Sequence, residues 1–290
     1  MGTLYLVATP IGNLEDITLR ALRILREVPL IAAEDTRHTR KLLTHFNIST
    51  STISYHEHSP QAQRDIILSA LATGDVALVS DAGTPAVSDP GQDLVRAAIA
   101  AGYPVIPIPG PTAAIAALIA SGLPTDNFTF LGFLPRKSTD RRTLLEQVRM
   151  SPYTLILYEA PHRLLSCLDD LLAMLGDREI AIARELTKLH EDWLRGSLAA
   201  IRARFASGEL TPRGEFTLVI SGALVTPTTA PDESHSVEDL ARDRLGDLLS
   251  HGLATREAAA RVARELGLTR REAYALALHL SEEKAEHDEE

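Results

Sequence analysis

Cysteine is nearly missing from this chain: one residue, Cys167, in 290. It cannot close an internal disulfide, and so sparse a use of cysteine fits a reducing, cytoplasmic compartment. Its neighbours Leu164, Leu165 and Leu168 mark it as a packed core residue rather than a nucleophile. Aromatic residues make up only 4% of the chain, which leaves alanine and leucine to fill the interior. The phosphate-binding signatures are also missing. There is no Walker A sequence and no GxGxxG after the first apolar run. No Cys/His cluster has zinc spacing. His56-Glu57-His58 lacks a further ligand and is expected to be polar surface or cleft, so no metal is expected. Unbroken apolar runs are lacking too. Val105 to Pro124 is uncharged and long enough for a membrane span, but Pro107, Pro109, Gly110, Pro111 and Gly122 divide it into strand, turn and short helix. Met1-Gly2-Thr3-Leu4-Tyr5 begins directly with a strand, so neither a signal peptide nor a membrane partner is expected. Positive charge is in deficit, with a net charge of −10. That opposes a nucleic-acid partner, although Ser281 to Glu290, with six acids and one lysine, carries half of it.

What is present is a globular α/β pattern. The 45% hydrophobic content can bury a core, and the length suits two or three domains. Leu4–Ala8 is a short apolar strand followed by the turn Thr9–Asn13. Ile17, Ala21, Ile24, Leu25 and Val28 recur at helical spacing. Pro29–Ala33 is a second strand, ending in Glu34-Asp35-Thr36-Arg37 and a basic helix to Phe46. Ser59-Pro60 opens another helix, with the serine as cap. Val76–Val79 and Val105–Ile108 complete a first lobe, residues 1–113, whose strand–helix alternation predicts a mainly parallel sheet. Strands at Phe128–Phe133, Thr154–Tyr158, Ile180–Ala183 and Phe216–Ser221, with helices around Leu144 and over Leu164–Leu175, predict a second α/β lobe, residues 114–224. Residues 225–236 read as a Thr/Pro-rich linker. Residues 237–280 read as a helical, helix-turn-helix-like domain, with Gly267 as helix stop and Thr269 as the next cap. Residues 281–290 read as an acidic tail.

The most chemically loaded stretch is Ser80-Asp81-Ala82-Gly83-Thr84-Pro85-Ala86-Val87-Ser88-Asp89-Pro90-Gly91. It follows an apolar strand and precedes the helical pattern Asp93–Ala101, so it sits at the carboxyl end of a parallel strand, where open α/β sheets bind ligands. Two glycines and two prolines make a stiff loop with accessible backbone. An ordinary strand-to-helix turn is the alternative for so short a motif. With Pro10, Thr112-Ala113, Tyr158-Glu159-Ala160 and Ala183-Arg184-Glu185, the loop would line a cleft of backbone, small and apolar groups. Such a cleft suits a flat heteroaromatic ligand held by main-chain hydrogen bonds, and it does not suit a polyphosphate.

Eight stretches in order also carry a resemblance. They are Leu6–Leu14, Ala33–Arg37, Asp81–Gly91, Pro109–Ala113, Gly132–Pro135, Tyr158–Arg163, Ala183–Lys188 and Arg213–Thr217. The chain resembles the tetrapyrrole-methylase superfamily of S-adenosylmethionine-dependent (class III) methyltransferases, through both lobes to about Ser221 and again in the C-terminal helical hairpin. Within that superfamily it is most similar to the members that methylate the ribose 2′-hydroxyl of a cytidine in small-subunit (16S) ribosomal RNA. The resemblance implies a two-lobed homodimer with S-adenosyl-L-methionine between the lobes. It places the cofactor on Pro10, Gly83, Thr84, Pro85, Val87, Thr112 and Ala113, and on Tyr158, Ala183 and Phe216. Glu34, Asp35, Glu159, Glu185 and Lys188 are candidates for a catalytic base or a cation near the acceptor, with no ground for choosing among them; Glu34 and Asp35 would serve equally as ion-pair partners of Arg37 or Arg40. Asp81 and Asp89 are expected to brace the loop. For ribosomal RNA or the small ribosomal subunit, the candidate contacts are Arg37, Arg40, Arg136, Lys137, Arg141 and Arg142, with Arg261, Arg270 and Arg271 in the hairpin. Two other functions are compatible with these residues: methylation of a tetrapyrrole or other small molecule, and a non-catalytic ligand sensor that binds nucleic acid through the hairpin.

Overall fold

The computed structural model describes residues 2–56, 58–223, 237–250 and 253–287. The expected linker 225–236 and residue Glu57 lie outside the described residues, as do the side chains of the acidic tail. Two compact units divide the chain, Met1–Leu224 and Val225–Glu290.

The first unit opens with a sheet of five parallel strands: β1 Leu4–Val7, β2 Leu30–Ala33, β3 Ser51–Ser54, β4 Val76–Val79 and β5 Val105–Ile108, in spatial order β3-β2-β4-β1-β5. Four helices connect them: α1 Leu19–Glu27, α2 Thr36–His45, α3 Gln61–Thr73 and α4 Gln92–Ala100. The central strands are near-continuous apolar runs because both faces of a parallel sheet are covered. β4 is buried at every position. One face packs Ala21, Ile24 and Leu25 of α1 and Leu42 and Leu43 of α2; the other packs Ile67 and Leu71 of α3 and Leu94 and Ala98 of α4. The chain leaves β1 toward β2 on one side and leaves β4 toward β5 on the other. The connections from β1 and β4 therefore pass over opposite faces of the sheet, and a crevice opens outside the carboxyl ends of these two strands.

β3 escapes the hydrophobic pattern because it is a polar edge strand, Ser-Thr-Ile-Ser. The expected serine cap is corrected. α3 starts after Pro60 with no side-chain cap, and the Ser59 hydroxyl instead accepts from the His56 amide at 2.8 Å.

A second sheet runs β6 Phe128–Phe133, β7 Thr154–Glu159, β8 Glu179–Arg184, β9 Asp192–Ser197 and β10 Phe216–Ile220, in order β6-β7-β10-β8-β9. Only β6 and β7 are parallel; the other pairings are antiparallel. Helices α6 Ser138–Val148, α7 Leu164–Leu175 and α8 Leu198–Ala206 cover one face. α5, Ala113–Ser121, follows the last strand of the first sheet but packs Ala114, Ala117 and Leu118 on the other face of the second sheet. That helix carries the chain from the first sheet onto the second. Residues 105–124 are thus a strand, a turn and a helix, and no described helix is long and apolar enough to cross a membrane.

The second unit holds α9 Val237–Ser250, α10 Thr255–Leu266 and α11 Arg270–His287 around Leu245, Leu248, Val262 and Leu276. Gly267 ends α10 at φ +69°. Thr269 and Glu272 form a reciprocal cap at the start of α11: Oγ1 of Thr269 accepts from the Glu272 amide, and Oε2 of Glu272 accepts from the Thr269 amide at 2.8 Å.

Candidate active site

The loop after β4 meets the loop after β1 across the crevice. Thr9 and Gly83 exchange both backbone bonds, N–H to O at 2.9 and 3.0 Å. Gly83 sits at φ +81°, a conformation that strains any residue with a Cβ. Its amide is already committed to Thr9, so main-chain contacts to a ligand fall to the neighbouring residues. The Thr84 hydroxyl donates to Pro111 O at 3.2 Å and ties this loop to the one after β5. Among the described residues, five non-glycine residues have positive φ; four lie on loops at this crevice, Ala86 and Ser88 after β4 and Glu185 and Thr187 after β8. Each costs about 1–3 kcal/mol and persists where the surroundings over-determine it, as at ligand-binding loops. Gly132, on a β-bulge of β6, brings the second lobe against this loop: a Cβ there would stand 2.8 Å from Ser88 Oγ.

Between the lobes lies a cleft of about 540 Å³, within the usual range for a small-molecule site. Gly83, Thr84, Val87, Thr112, Ala113, Tyr158, Ala183 and Phe216 all line it. The other two expected cofactor residues do not line this cleft. Pro10 opens instead on a separate cavity of about 200 Å³ beside His38 and Lys41, and Pro85 is buried and lines neither. The cleft also exposes Ile11, Phe133, Leu186 and Thr217, which sequence reasoning passed over although each lies inside one of the eight stretches.

Tyr158 organises one wall. Its hydroxyl accepts from the Ala114 amide at 3.1 Å and so supplies the cap that Thr112 does not. Its ring meets Phe130 and Phe133 edge-on, centroids 5.0 and 5.5 Å away. Burial raises its phenol pKa, with hydrogen bonds from Thr112 and Ala114 opposing.

The catalytic candidates separate. Asp35 caps α2, accepting from the Arg37 amide at 2.8 Å, and pairs with the Arg37 guanidinium at 2.7 Å. Those bonds hold its carboxyl well below the usual range. Glu159 is buried; one oxygen accepts from the Ala160 amide and faces Arg163 Nε at 3.1 Å, while the other has no hydrogen-bond partner. Glu185 and Lys188 bind each other, and Lys188 also binds Glu215, both at 2.9 Å. Only Glu34 makes no ion pair among the described residues and lines the cleft with its carboxyl raised, chiefly by burial. Asp81 does brace the loop, accepting from the Asp35 amide at 3.0 Å. Asp89 has a different environment: burial first, then the charges of Glu34 and Asp81, raise its carboxyl to about 6 against the pull of the Ser80 hydroxyl.

The nucleic-acid candidates also separate. Arg141 is corrected: it is 3% exposed and its guanidinium is paired with buried Asp170, so it is a core cation rather than a surface contact. Arg142 binds the same carboxylate at 2.6 Å with its outer half exposed. Arg40, Arg136 and Lys137 are exposed and make no ion pair among the described residues, whereas Arg37 is exposed and paired with Asp35. In the second unit Arg261 pairs with Glu265 at 3.2 Å, and Arg270 and Arg271 are exposed. Among the described residues no group of three His, Cys, Asp or Glu could hold a metal, and Cys167 is buried, its thiol pushed up by burial.

The tetrapyrrole (corrin/porphyrin) methylase profile matches residues 3–202. The chain belongs to the tetrapyrrole methylase family. It is 54% identical to the "Ribosomal RNA small subunit methyltransferase I" of Synechocystis sp., over 97% of this chain and 99% of that one. It is 45% identical to the protein of the same name from Escherichia coli O157:H7, over 96% and 95%. The solved structure of uroporphyrin-III C-methyltransferase from Thermus thermophilus, complexed with S-adenosylhomocysteine, shares its fold with TM-score 0.53 and 22% identity, covering 76% of this chain and 97% of that one. Diphthine synthase does so with TM-score 0.59 and 14% identity, covering 76% and 90%. In this tetrapyrrole methylase the family's two-lobed α/β fold places the cleft outside the carboxyl ends of β1 and β4.

Proposed function

We propose that this chain transfers a methyl group from S-adenosylmethionine to the ribose 2′-oxygen of a cytidine in small-subunit ribosomal RNA. The observation that carries the reading is the near-full-length identity to proteins named for methylating that RNA. The cleft fits the methyl donor. Its walls are apolar and backbone, and its edge carries Glu34, Asp81, Asp89 and Glu215, an arrangement that favours a sulfonium cation and repels a polyphosphate. Bound there, the donor supplies a methyl group already activated on positive sulfur, so alignment is the larger part of the task. Gly83, Thr84, Val87, Thr112, Ala113, Tyr158, Ala183 and Phe216 are proposed to hold it. The locally strained loops after β4 and β8 contribute to the walls.

RNA is proposed to meet the unpaired surface cations Arg40, Arg136 and Lys137, with Arg37 and the outer half of Arg142 beside them. Arg261, Arg270 and Arg271 of the helical unit are offered as further contacts. A homodimer is also proposed. α5 presents Ile115 and Ile119 to solvent one turn apart, 40% and 72% exposed, on the side away from the second sheet, an apolar stripe that a second copy would cover.

The test incubates the protein with methyl-labelled S-adenosylmethionine and small ribosomal subunits lacking the modification, then digests the RNA to nucleosides. Labelled 2′-O-methylcytidine is expected. No label in RNA, from folded protein that binds the donor, would overturn the reading in favour of a sensor or of a small-molecule acceptor. Sedimentation equilibrium is expected to return twice the chain mass, and a monomer at micromolar concentration would refute the dimer.

A further inference from the structure

A second cavity, of about 920 Å³, opens beside the cleft. The two share Glu34, Ser88 and Asp89, so these residues form the boundary between them. Their characters differ. Away from its carboxylate edge the cleft is lined by small and apolar groups, whereas the second cavity is polar, lined by the cationic or imidazole side chains of Arg64, His56 and His58 and by the carboxylate of Asp93. Arg64 is half-buried and makes no hydrogen bond or ion pair among the described residues. Nδ1 of His56 accepts from the His58 amide at 3.3 Å, an orientation that directs Nε2 away from its own loop. A half-buried arginine with no ion pair among the described residues, in a cavity that two imidazoles also line, matches a phosphodiester, which such groups contact to position a nucleic acid. An in-line displacement needs donor and acceptor on opposite sides of the moving carbon, and two adjoining cavities meeting at a carboxylate wall provide that arrangement.

We propose that the second cavity seats the acceptor nucleotide, with Arg64 on its phosphate, and that Asp89 at the boundary takes the proton of the acceptor hydroxyl. This rests on the methyltransferase reading above and deepens it. In the step, the ribose oxygen forms a bond to the methyl carbon as the carbon–sulfur bond breaks. The electron pair of that bond stays on sulfur, whose positive charge is cancelled, and the hydroxyl proton passes to the Asp89 carboxylate, which later releases it to solvent. The groups facing Asp89 are Glu34 after β2, Asp81 and Ser80 after β4, and Tyr158 across the cleft on β7, and Arg64 of α3, Asp93 of α4 and His56 and His58 of the loop after β3 line the second cavity with it; His56 also bears on Glu34. The carboxyl that this setting raises to about 6 is a stronger base than an ordinary aspartate and still ionised at neutral pH, the compromise general-base catalysis requires.

The test uses the full chain, unmodified small ribosomal subunits and labelled S-adenosylmethionine, with donor affinity by calorimetry, subunit affinity by filter binding, and single-turnover transfer from about pH 5 to 9. Arg64→Ala is expected to weaken subunit binding about tenfold, the loss of one charged hydrogen bond, and to leave donor affinity unchanged; Arg64→Lys should recover part of it. Asp89→Asn is expected to slow single-turnover transfer at least about 100-fold at saturating donor with subunit affinity kept, and to abolish the rise in rate centred near pH 6 that is expected of the parent. Subunit affinity unchanged in Arg64→Ala, or donor affinity lost with it, would overturn the acceptor seat. An Asp89→Asn rate within threefold of the parent would overturn the base. Should Asp89→Asn fail to fold, the Arg64 pair carries the test alone. If the unaltered protein labels no RNA, the methyltransferase reading itself has failed; an active parent with indifferent variants sinks only the acceptor seat.

Discussion

Replacing Asp89 with asparagine should make the protein more stable at neutral pH, an unusual result for a polar residue in a candidate site. An aspartate raised from 3.8 to about 6 in the folded state is one whose charged form the fold disfavours. Below the unfolded value the group is protonated in both states and exerts no penalty. As pH rises from about 4 to 6 the unfolded chain ionises first, so folding loses stability through that window and recovers none of it above. At about 1.4 kcal/mol per tenfold change in acidity, the full difference is ~3 kcal/mol. Asp89 is only half-buried, and solvent screening reduces this to about 1–2 kcal/mol. Asparagine keeps the shape and removes the charge. In a unit of this size that gain raises the melting temperature by roughly 2–8 °C. Thermal melts of parent and variant near pH 7.5 and near pH 4 make the measurement. The variant should melt higher at the first and level with the parent at the second. A variant that melts lower near pH 7.5, or that differs equally at both, would refute the assignment of Asp89 as a carboxylate ionised against its surroundings.

Three further outcomes follow from the geometry. Gly83→Val should abolish donor binding in a calorimetric titration, because φ is +81° and the new Cβ would sit 3.4 Å from Ile11 Cγ2 at the cleft wall; undiminished affinity in a folded variant contradicts it. Arg141→Met should lower stability by about 3 kcal/mol in chemical denaturation, since it strips a partner from a buried carboxylate. Burial pushes Asp170 up, but the bonds from Arg142, Ser138 and Arg141 outweigh it and hold the carboxyl below its usual range; in the parent this stabilisation is present above about pH 4 and is lost as pH falls further. Tyr158→Phe should cost about 1 kcal/mol through the lost bond to the Ala114 amide and weaken donor binding, and an unchanged melting temperature would show that the bond contributes nothing.

Much of the fold was legible in the residues. β6 and α7 begin and end where the apolar runs and their spacing put them, and Gly267 and Thr269 end and restart helices as their chemistry predicts. The missed strands are polar in sequence. β3 and β9 are edge strands, Ser-Thr-Ile-Ser and Asp-Trp-Leu-Arg-Gly-Ser, and an edge strand has one paired neighbour and tolerates polar residues on its outer side. α8 follows β9 directly, Ser197 closing the strand and capping the helix, so the boundary carries no turn signal.

Taken alone, the sequence determined the family, the two-lobe α/β order and the loops that line the cleft, because runs of apolar residues, glycine and proline act within a few residues of themselves. It could not say which charges are free. Arg141 and Arg142 are adjacent in the chain, yet one is 3% exposed on Asp170 and the other half in solvent. Asp81 and Asp89 lie on one loop, yet one is bound to the Asp35 amide and the other is raised by burial. Those differences come from residues of distant elements brought within bonding range, so only the tertiary structure decided that the cleft opens into a second, polar cavity across Glu34 and Asp89.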